Sequence, residues 1–181
     1  MSDLSRATLG GGCFWCVEAA FKPIKGVEEA VPGYAGGTET DPTYEQVSTG
    51  NTEHAEVVDV RFDPEIVSYE DLLGVFFTVH DPTQLNRQGP DVGPQYRSII
   101  LYRDDDQKQI AEDAIAELEA SGKYEDSVVT EVEPLDQFYE AEEYHHDYFQ
   151  KNPNQAYCRR MIPPKMRKLE SEHRDLLYDQ G

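Results

Sequence analysis

Length, composition and charge exclude several classes of protein. The chain has 181 residues, which is enough for one domain that buries roughly 70% of the surface exposed in its unfolded state. Acidic residues outnumber basic residues by 36 to 16, giving a formal net charge of -20, so nucleic acids and anionic membranes are excluded as partners because their negative charge repels the chain.

Hydrophobic periodicity and turn residues predict nine regular elements. In chain order they are a strand (6–9), a helix (13–22), two strands (27–34 and 56–62), a helix (68–80), a strand (96–102), a helix (104–120), a strand (128–133) and a helix (140–150). Two long segments, 38–51 and 81–94, separate some of these elements, and the second is rich in glycine and proline. Such long irregular segments are usually functional or mobile.

The order of these elements predicts the fold class. It contains the split βαβ pattern of ferredoxin-like folds, so we expect a single α+β domain of two layers with a ferredoxin-like split βαβ core. After Asn152-Pro153 the composition becomes polar, and five of the basic residues lie between 159 and 168. We therefore predict a catalytic domain at 1–152 and an irregular C-terminal tail at 153–181.

The N-terminus and the cysteine content predict a cytoplasmic protein. An acidic residue stands where a secretion signal is basic, and no apolar stretch of signal length precedes the first glycines. The densest apolar stretches, 75–79 and 99–102, are far shorter than the ~20 residues that span a bilayer. The acidity also fits a cytoplasm rich in salt. Three cysteines are too few for a disulfide scaffold, so they are metal ligands, redox groups or buried apolar residues.

The stretch at 10–16, with the sequence GGGCFWC, carries the clearest chemical signal. It sets Cys13 at the first turn of a helix, where free backbone N–H groups and the helix dipole favour a thiolate. We therefore interpret Cys13 as a nucleophile whose pKa lies below that of a free thiol, the alternative being a small buried residue. Cys16, one turn later, is open to three interpretations: a redox partner, a zinc ligand or part of an apolar face.

Two other classes of protein fit the Cys13–Cys16 spacing. A dithiol oxidoreductase of thioredoxin type also places a cysteine at a helix start. A zinc-stabilised binding module needs two further ligands, but the remaining candidates are Cys158 and the adjacent pair His145 and His146, which lack the usual ligand spacing.

Five other side chains are candidates for the same site. Phe14 and Trp15 either pack in the core or form an apolar wall for a soft group such as a thioether methyl. Glu56 lies on the apolar side of its strand, where lost hydration would raise its pKa and suit a general acid, unless it stays hydrated at the strand's start. Tyr44 and Tyr96 flank loops rich in glycine and proline, where phenol hydroxyls can donate to a substrate oxygen.

The residues at 10–18, GGGCFWCVE, resemble the active-site signature of the peptide-methionine (S)-S-oxide reductases. Further blocks resemble this family in the same order along the chain. They are GYAGG at 33–37, PTY at 42–44, 50–56 ending in His54-Ala55-Glu56, the motifs within 80–98, and a late block from Phe138-Tyr139 through Glu142 and Tyr144-His145 to Asn152-Pro153. The resemblance extends over residues 8–168, nearly the whole chain.

The resemblance implies a reaction and assigns the candidate residues to it. Cys13 would attack the sulfoxide sulfur of methionine S-sulfoxide, free or in proteins, releasing methionine and leaving a sulfenic acid on the enzyme. Glu56 would protonate the sulfoxide oxygen. The other implied roles are hydrogen-bond donors (Tyr44 and Tyr96), a polar helper in the pocket (Asp91) and a hydrophobic seat for the methyl group (Phe14 and Trp15).

The resemblance also implies how the enzyme is recycled in protein repair under oxidative stress. It implies no bound metal or organic cofactor, because thioredoxin would supply reducing equivalents through an enzyme disulfide. We expect a monomer in which Cys158 resolves the sulfenic acid, with Cys16 as the alternative. Cys158 is favoured because its tail is predicted to be free of regular structure, and because Arg159 and Arg160 would favour its thiolate.

Overall fold

The structure is a computed structural model that describes residues 4–177. The outer ends of the predicted domain and tail, 1–3 and 178–181, lie outside the described residues. The strands are β1 (Ser5–Gly10), β2 (Val27–Ala35), β3 (Ala55–Phe62), β4 (Arg87–Gln88), β5 (Asp91–Val92), β6 (Ile99–Tyr102), β7 (Glu131–Pro134) and β8 (Phe138–Glu140). The α-helices are α1 (Phe14–Phe21), α2 (Tyr44–Ser48), α3 (Tyr69–Val79), α4 (Asp105–Ala120), α5 (Tyr148–Lys151) and α6 (Ala156–His173). Short 3-10 helices cover Pro94–Tyr96, Glu143–His145 and Arg174–Leu176.

One mixed sheet organises the molecule. Its strand order is β7-β6-β1-β3-β2-β8. β3 lies antiparallel between β1 and β2, β6 pairs antiparallel with β1, β8 pairs antiparallel with β2, and β7 pairs parallel with β6. The register places Glu56 of β3 opposite Tyr34 of β2. β4 and β5 form a separate two-stranded sheet, within the segment that the sequence predicted to be irregular.

Alternation along the strands separates two hydrophobic clusters. The larger cluster joins one face of the sheet to α1, α3 and α6, and its buried members include Leu9, Val58, Ile100, Phe21, Phe76 and Ile162. The smaller cluster holds the strand residues of opposite parity: Ala35, Ala55, Val57, Ile99 and Leu101. The predicted single domain of mixed α and β structure is therefore confirmed.

Helix α6 corrects the prediction of an irregular C-terminal tail. Its buried side chains recur at helical spacing: Cys158, Ile162 and Leu169. Pro163 and Pro164 lie inside the helix and remove two backbone N–H donors, which is why the sequence favours an irregular segment. The prediction is wrong because burial of the apolar side of α6 in the main core outweighs this local cost.

The helix predicted at 140–150 is also wrong. This segment contains the end of β8, the 3-10 helix Glu143–His145 and the start of the short helix α5. Asp147 takes a left-handed conformation with φ of 56° directly before α5, which interrupts a continuous helix.

Within residues 4–177, no helix combines the length and apolar character needed to cross a membrane.

Candidate active site

A glycine turn delivers Cys13 to the start of α1. A Cβ atom on Gly10 would lie 2.8 Å from the carbonyl oxygen of Glu56, and one on Gly11 would lie 2.9 Å from the His80 ring. Gly12 has φ of 94°, a conformation that favours glycine. The chain can therefore pass close to β3 and α3 only without side chains, and Cys13 follows as the buried N-cap residue of α1.

The pKa of Cys13 runs opposite to the sequence-based prediction. Burial raises this pKa well above its usual value, the hydrogen bond with Cys16 and the charge of Glu56 raise it further, and the backbone of Trp15 lowers it. The N–H of Phe14, at the start of the helix, donates to Oε1 of Glu56 at 3.2 Å. The prediction of a lowered pKa in the free protein is wrong because burial outweighs the helix dipole.

Glu56 is a buried carboxyl group with one oxygen available for chemistry. The residue is 1% exposed, on the apolar side of β3 as the alternation predicts. Burial raises its pKa to about 8, the hydrogen bond from Phe14 lowers it, and the charges of Asp91 and Cys16 raise it. At neutral pH the carboxyl is therefore mainly protonated. Since Oε1 accepts from Phe14 and Oε2 is buried without a partner, the proton belongs on Oε2.

Tyr44, at the start of α2, and Tyr96, at the end of the 3-10 helix Pro94–Tyr96, lie close enough to this carboxyl for its charge to affect both phenols. Tyr44 begins α2, and its backbone N–H donates to Oε2 of Glu142 at 2.9 Å. Burial raises the pKa of Tyr44 to about 12, and the charges of Glu56 and Cys13 raise it as well. Burial also raises the pKa of Tyr96, and the charges of Glu56 and Tyr44 raise it further. Both phenols are therefore neutral hydrogen-bond donors near the acid.

Asp91 and Tyr157 form the other side of the site. Asp91 lies in β5, and its Oδ2 accepts a short hydrogen bond from the hydroxyl of Tyr157. Tyr157 belongs to α6, and its hydroxyl oxygen also lies 3.9 Å from Sγ of Cys16. Tyr157 therefore links the polar helper predicted from the sequence to the second cysteine.

Phe14 and Trp15 begin an aromatic cluster. Phe14 is fully buried, whereas Trp15 is partly buried. The Tyr44 ring stacks near both, with centroid distances of 6.3 Å to Phe14 and 6.5 Å to Trp15. Trp15 is also stacked on Tyr148, with a centroid distance of 3.8 Å and an interplanar angle of 5°. The two predicted wall residues are thus adjacent to a predicted hydroxyl donor.

The three cysteines are all free and buried, but their thiols differ. The hydrogen bond from Cys13 lowers the pKa of Cys16 against the effect of burial, and Lys165 lowers it further. Burial raises the pKa of Cys158 to about 11, and Cys16 raises it as well. The expectation that Arg159 and Arg160 favour a Cys158 thiolate is therefore wrong, because α6 buries this thiol completely.

The structure brings the predicted site residues together around Cys13 and Glu56. The members are Cys13, Phe14, Trp15, Cys16, Tyr44, Glu56, Asp91 and Tyr96, and Cys158 lies close enough to Cys16 for the charge of Cys16 to raise its pKa. Sequence reasoning missed several contributors from distant segments: Glu142, His145, Tyr148, Tyr157 and Lys165. The sequence signals that could have identified them were the resemblance of the block containing Glu142 and His145 to the family and the position of Tyr157 beside Cys158.

Among residues 4–177, no three His, Cys, Asp or Glu side chains are grouped to hold a metal ion.

Comparisons with known proteins agree with one another. The family model described as peptide methionine sulfoxide reductase matches residues 5–176. The peptide methionine sulfoxide reductase MsrA of Natronomonas pharaonis is 63% identical over 162 residues, which cover 90% of this chain and 91% of that protein. Reduced Mxr1 from Saccharomyces cerevisiae is similar in structure, with a TM-score of 0.79 and 34% identity over 84% of this chain and 88% of that chain. Mxr1 in complex with Trx2 has a TM-score of 0.57 and 24% identity over 81% of this chain and 85% of that chain.

Proposed function

This chain belongs to the peptide methionine sulfoxide reductase family, and from that premise we propose that it reduces the S epimer of methionine sulfoxide at Cys13. It is an oxidoreductase enzyme that returns methionine sulfoxide to methionine. The observation that carries the proposal is the unpartnered Oε2 of Glu56. A buried carboxyl with a pKa of about 8, beside a buried thiol, is a general acid suited to a substrate oxygen.

The reaction moves one oxygen atom from the substrate to the enzyme. Sγ of Cys13 attacks the sulfoxide sulfur while Glu56 gives its proton to the sulfoxide oxygen. The protonated oxygen then bonds to Sγ while its bond to the substrate sulfur and the transient sulfur–sulfur bond both break, so that methionine leaves and a sulfenic acid remains on Cys13. The two electrons that reduce the substrate sulfur come from Sγ, and a proton equivalent to the one lost by the thiol returns Glu56 to its acid form. Because the pKa of Cys13 is raised in the free enzyme, loss of its proton accompanies substrate binding.

The surrounding residues bind and orient the sulfoxide. Tyr44 and Tyr96 donate hydrogen bonds to the sulfoxide oxygen, and the raised pKa of each phenol keeps its proton in place. Asp91 supports the polar side of the site through its contact with Tyr157. Phe14 and Trp15 provide the apolar seat of the methyl group, as their position in one aromatic cluster supports.

A second cysteine resolves the sulfenic acid as a disulfide. The sequence favours Cys158, but burial in α6 removes both grounds for that choice. The geometry favours Cys16, because it lies one turn after Cys13, with its backbone N–H donating to the Cys13 carbonyl oxygen at 3.1 Å, and because the neighbouring Cys13 lowers the pKa of its thiol. We propose that Cys16 attacks first, whereas attack by Cys158 requires the first turn of α6 to open.

The enzyme disulfide is reduced by thioredoxin, with no bound cofactor, because both electrons pass through thiols. Mxr1 has been solved in complex with Trx2, and this supports thioredoxin as the partner of the present chain as well.

The substrate is methionine sulfoxide, free or within proteins. Three free cysteines fit the reducing conditions of a cytoplasm, where we propose that the enzyme works as a monomer.

The finer description of the fold is also a proposal. We propose a two-layer ferredoxin-like split βαβ core, supported by the order β6-β1-β3-β2 and by β1 and β2 both lying antiparallel to β3. Residues 1–152 then form the catalytic part, and 153–181 form the C-terminal segment that carries Cys158.

The proposal that the enzyme is a monomer is tested by measuring its molar mass in solution by light scattering.

A turnover assay with separated sulfoxide epimers tests the function. Wild type with thioredoxin is expected to reduce the S epimer of methionine sulfoxide and of methyl p-tolyl sulfoxide, while Cys13→Ser is expected to be inactive. Reduction of both epimers alike, or turnover by Cys13→Ser, would overturn the proposal.

A further inference from the structure

Lys165 places a positive charge on the apolar side of helix α6. The buried residues of this helix recur at helical spacing: Cys158, Ile162 and Leu169. Lys165 follows Ile162 by three positions and precedes Leu169 by four, so it projects from the same side of the helix, where it is partly buried. Lys168, on the next turn, is exposed. A lysine on the buried side loses hydration, and the proposed reaction assigns it no role.

One hydrogen bond carries the ammonium group of Lys165 to the end of α3. Its Nζ donates to the carbonyl oxygen of Val79 at 2.7 Å, and Val79 is the last residue of that helix. The ring of the following His80 lies against the glycine turn, because a Cβ atom on Gly11 would be 2.9 Å from it. The bond therefore holds Nζ on the side of the core where the glycine turn leads to Cys13.

The negative group that acts most strongly on Lys165 is the Cys16 thiolate. Within the described part of the chain, the ion pairs do not include Lys165. Burial lowers the pKa of Lys165 and Lys168 lowers it further, whereas Cys16 raises it more than Cys13 or Asp91 does. The effect is mutual. Cys13 lowers the pKa of Cys16 most, burial raises it, and Lys165 lowers it.

We infer that Lys165 is a positioning residue that holds a positive charge beside Cys16 and thereby favours the thiolate that attacks the Cys13 sulfenic acid. This inference rests on the proposed function, because it concerns the second step of that reaction. In this step a bond forms between the two sulfur atoms and the sulfur–oxygen bond of Cys13 breaks. The hydroxide leaves as water with the proton that Cys16 released. The Cys16 sulfur is oxidised, the Cys13 sulfur is reduced, and Lys165 exchanges no proton with either.

The hydrogen bond to Val79 also has a purely structural interpretation. A cation at the C-terminal end of a helix stabilises its last carbonyl groups, and Lys165 would then serve only α3. Loss of that contact lowers thermal stability but leaves the pH dependence of disulfide formation unchanged. An experiment that follows this pH dependence therefore separates the two roles.

Two variants and a matched control test the charge. Lys165→Met keeps an unbranched side chain but removes the charge, whereas Lys165→Arg keeps the charge. Lys168→Met, on the exposed side of the same helix, is the control. Each protein receives one equivalent of methionine S-sulfoxide at several pH values from about 6 to about 10, a range that brackets the pKa of a free thiol. Rapid quenching measures methionine release and disulfide formation, and dimedone traps the remaining sulfenic acid.

Lys165→Met is expected to slow disulfide formation about threefold or more at neutral pH, while methionine release changes less. If the pKa of Cys16 rises by about 1, the thiolate fraction falls about tenfold, but the more basic thiolate regains about threefold in nucleophilicity. The difference from wild type should disappear at alkaline pH, where Cys16 is ionised in both proteins. Lys165→Arg and Lys168→Met should behave like wild type.

The other titratable groups around Cys16 are the same in wild type and in both variants at position 165. They are Cys13 on α1, Glu56 on β3, Asp91 on β5, and Tyr157 and Cys158 on α6. His80 and Lys168 lie near Lys165 itself. Since these groups are common to the proteins compared, the ratio of variant to wild-type rates reports the charge at position 165.

Two results would overturn the inference while leaving the reduction of sulfoxide intact. One is a wild-type rate of disulfide formation at neutral pH in folded Lys165→Met. The other is equal slowing at every pH, which indicates a structural role. If Lys165→Met does not fold, Lys165→Gln takes its place under the same criteria, because its neutral amide still offers a donor. A disulfide between Cys13 and Cys158 in wild type also overturns the inference, whereas failure of wild type to release methionine refutes the proposed function instead.

Discussion

The backbone N–H of Phe14 donates to Oε1 of Glu56 at 3.2 Å, so the acid is attached to the residue that directly follows Cys13. This contact fixes the carboxyl relative to the thiol and leaves Oε2 free of protein partners. It also uses one of the N–H groups at the helix start that would otherwise stabilise a thiolate. The bond therefore fixes the position of the acid, whereas burial keeps both the acid and the resting nucleophile protonated.

The first prediction concerns the proton on Glu56. Glu56→Gln keeps a hydrogen-bonding side chain but has no transferable proton, so single-turnover sulfoxide reduction is expected to fall by about 100-fold or more. The wild-type rate should decline as pH rises through about 8, where Glu56 ionises, and this decline should be missing in the variant. Glu119→Gln on exposed α4 is the control. An unchanged rate in Glu56→Gln would remove this residue from the mechanism.

The second prediction concerns the resting state of Cys13. Because burial raises its pKa well above the usual value, alkylation of Cys13 by iodoacetamide in the free enzyme should be slow at pH 7. The rate should rise only above about pH 8.5, the pKa of an unperturbed thiol. Mass spectrometry of the modified peptide measures it, with Cys16→Ser to remove the competing thiol. An inflection of the alkylation rate below that pH would show instead that the start of α1 lowers the pKa of Cys13.

The third prediction identifies the resolving cysteine. Peptide mapping after a single turnover should find a disulfide between Cys13 and Cys16, which lie one helical turn apart, with the Cys16 N–H donating to the Cys13 carbonyl oxygen at 3.1 Å. Cys16→Ser should reduce one equivalent of sulfoxide and then stall with thioredoxin. Cys158→Ser is the comparison variant and should continue to turn over with thioredoxin. If Cys158→Ser stalls and Cys16→Ser turns over instead, Cys158 is the resolving cysteine.

The fourth prediction concerns pH and stability. Burial raises the pKa of Glu18 to about 7, above its value of about 4.3 in an unfolded chain. Between these values the unfolded state binds fewer protons, so this residue makes the protein less stable as pH rises from about 4.3 to about 7. Glu18→Gln should therefore gain thermal stability relative to wild type between pH 5 and pH 8. A constant difference in Tm across that range would contradict the assigned pKa.

The fifth prediction follows from the net charge of -20. Repulsion among the acidic residues is screened by salt, so the thermal midpoint should rise between low salt and molar KCl. Calorimetry at several KCl concentrations measures the effect, and sucrose at matched osmolality controls for general exclusion from the surface. A midpoint that does not rise would reject adaptation to a salt-rich cytoplasm.

Local pattern alone located much of the site. The glycine run before Cys13 predicts a close turn, and the alternation along β3 places Glu56 on the apolar side. Both are properties of a few neighbouring residues, so one sequence is enough to reveal them. The resemblance to a known family supplied the roles of Tyr44, Tyr96 and Asp91, which periodicity could not assign.

Tertiary structure decided what depends on residues far apart in the chain. Pro163 and Pro164 argue against a helix locally, yet packing in the core keeps α6 intact. The helix start argues for a Cys13 thiolate, yet burial and Glu56 reverse the direction of its pKa. Trp15 and His145 are separated by 130 positions. Sequence thus determined which groups can react, whereas burial and long-range contacts determined their protonation and orientation, because desolvation depends on everything packed around a group.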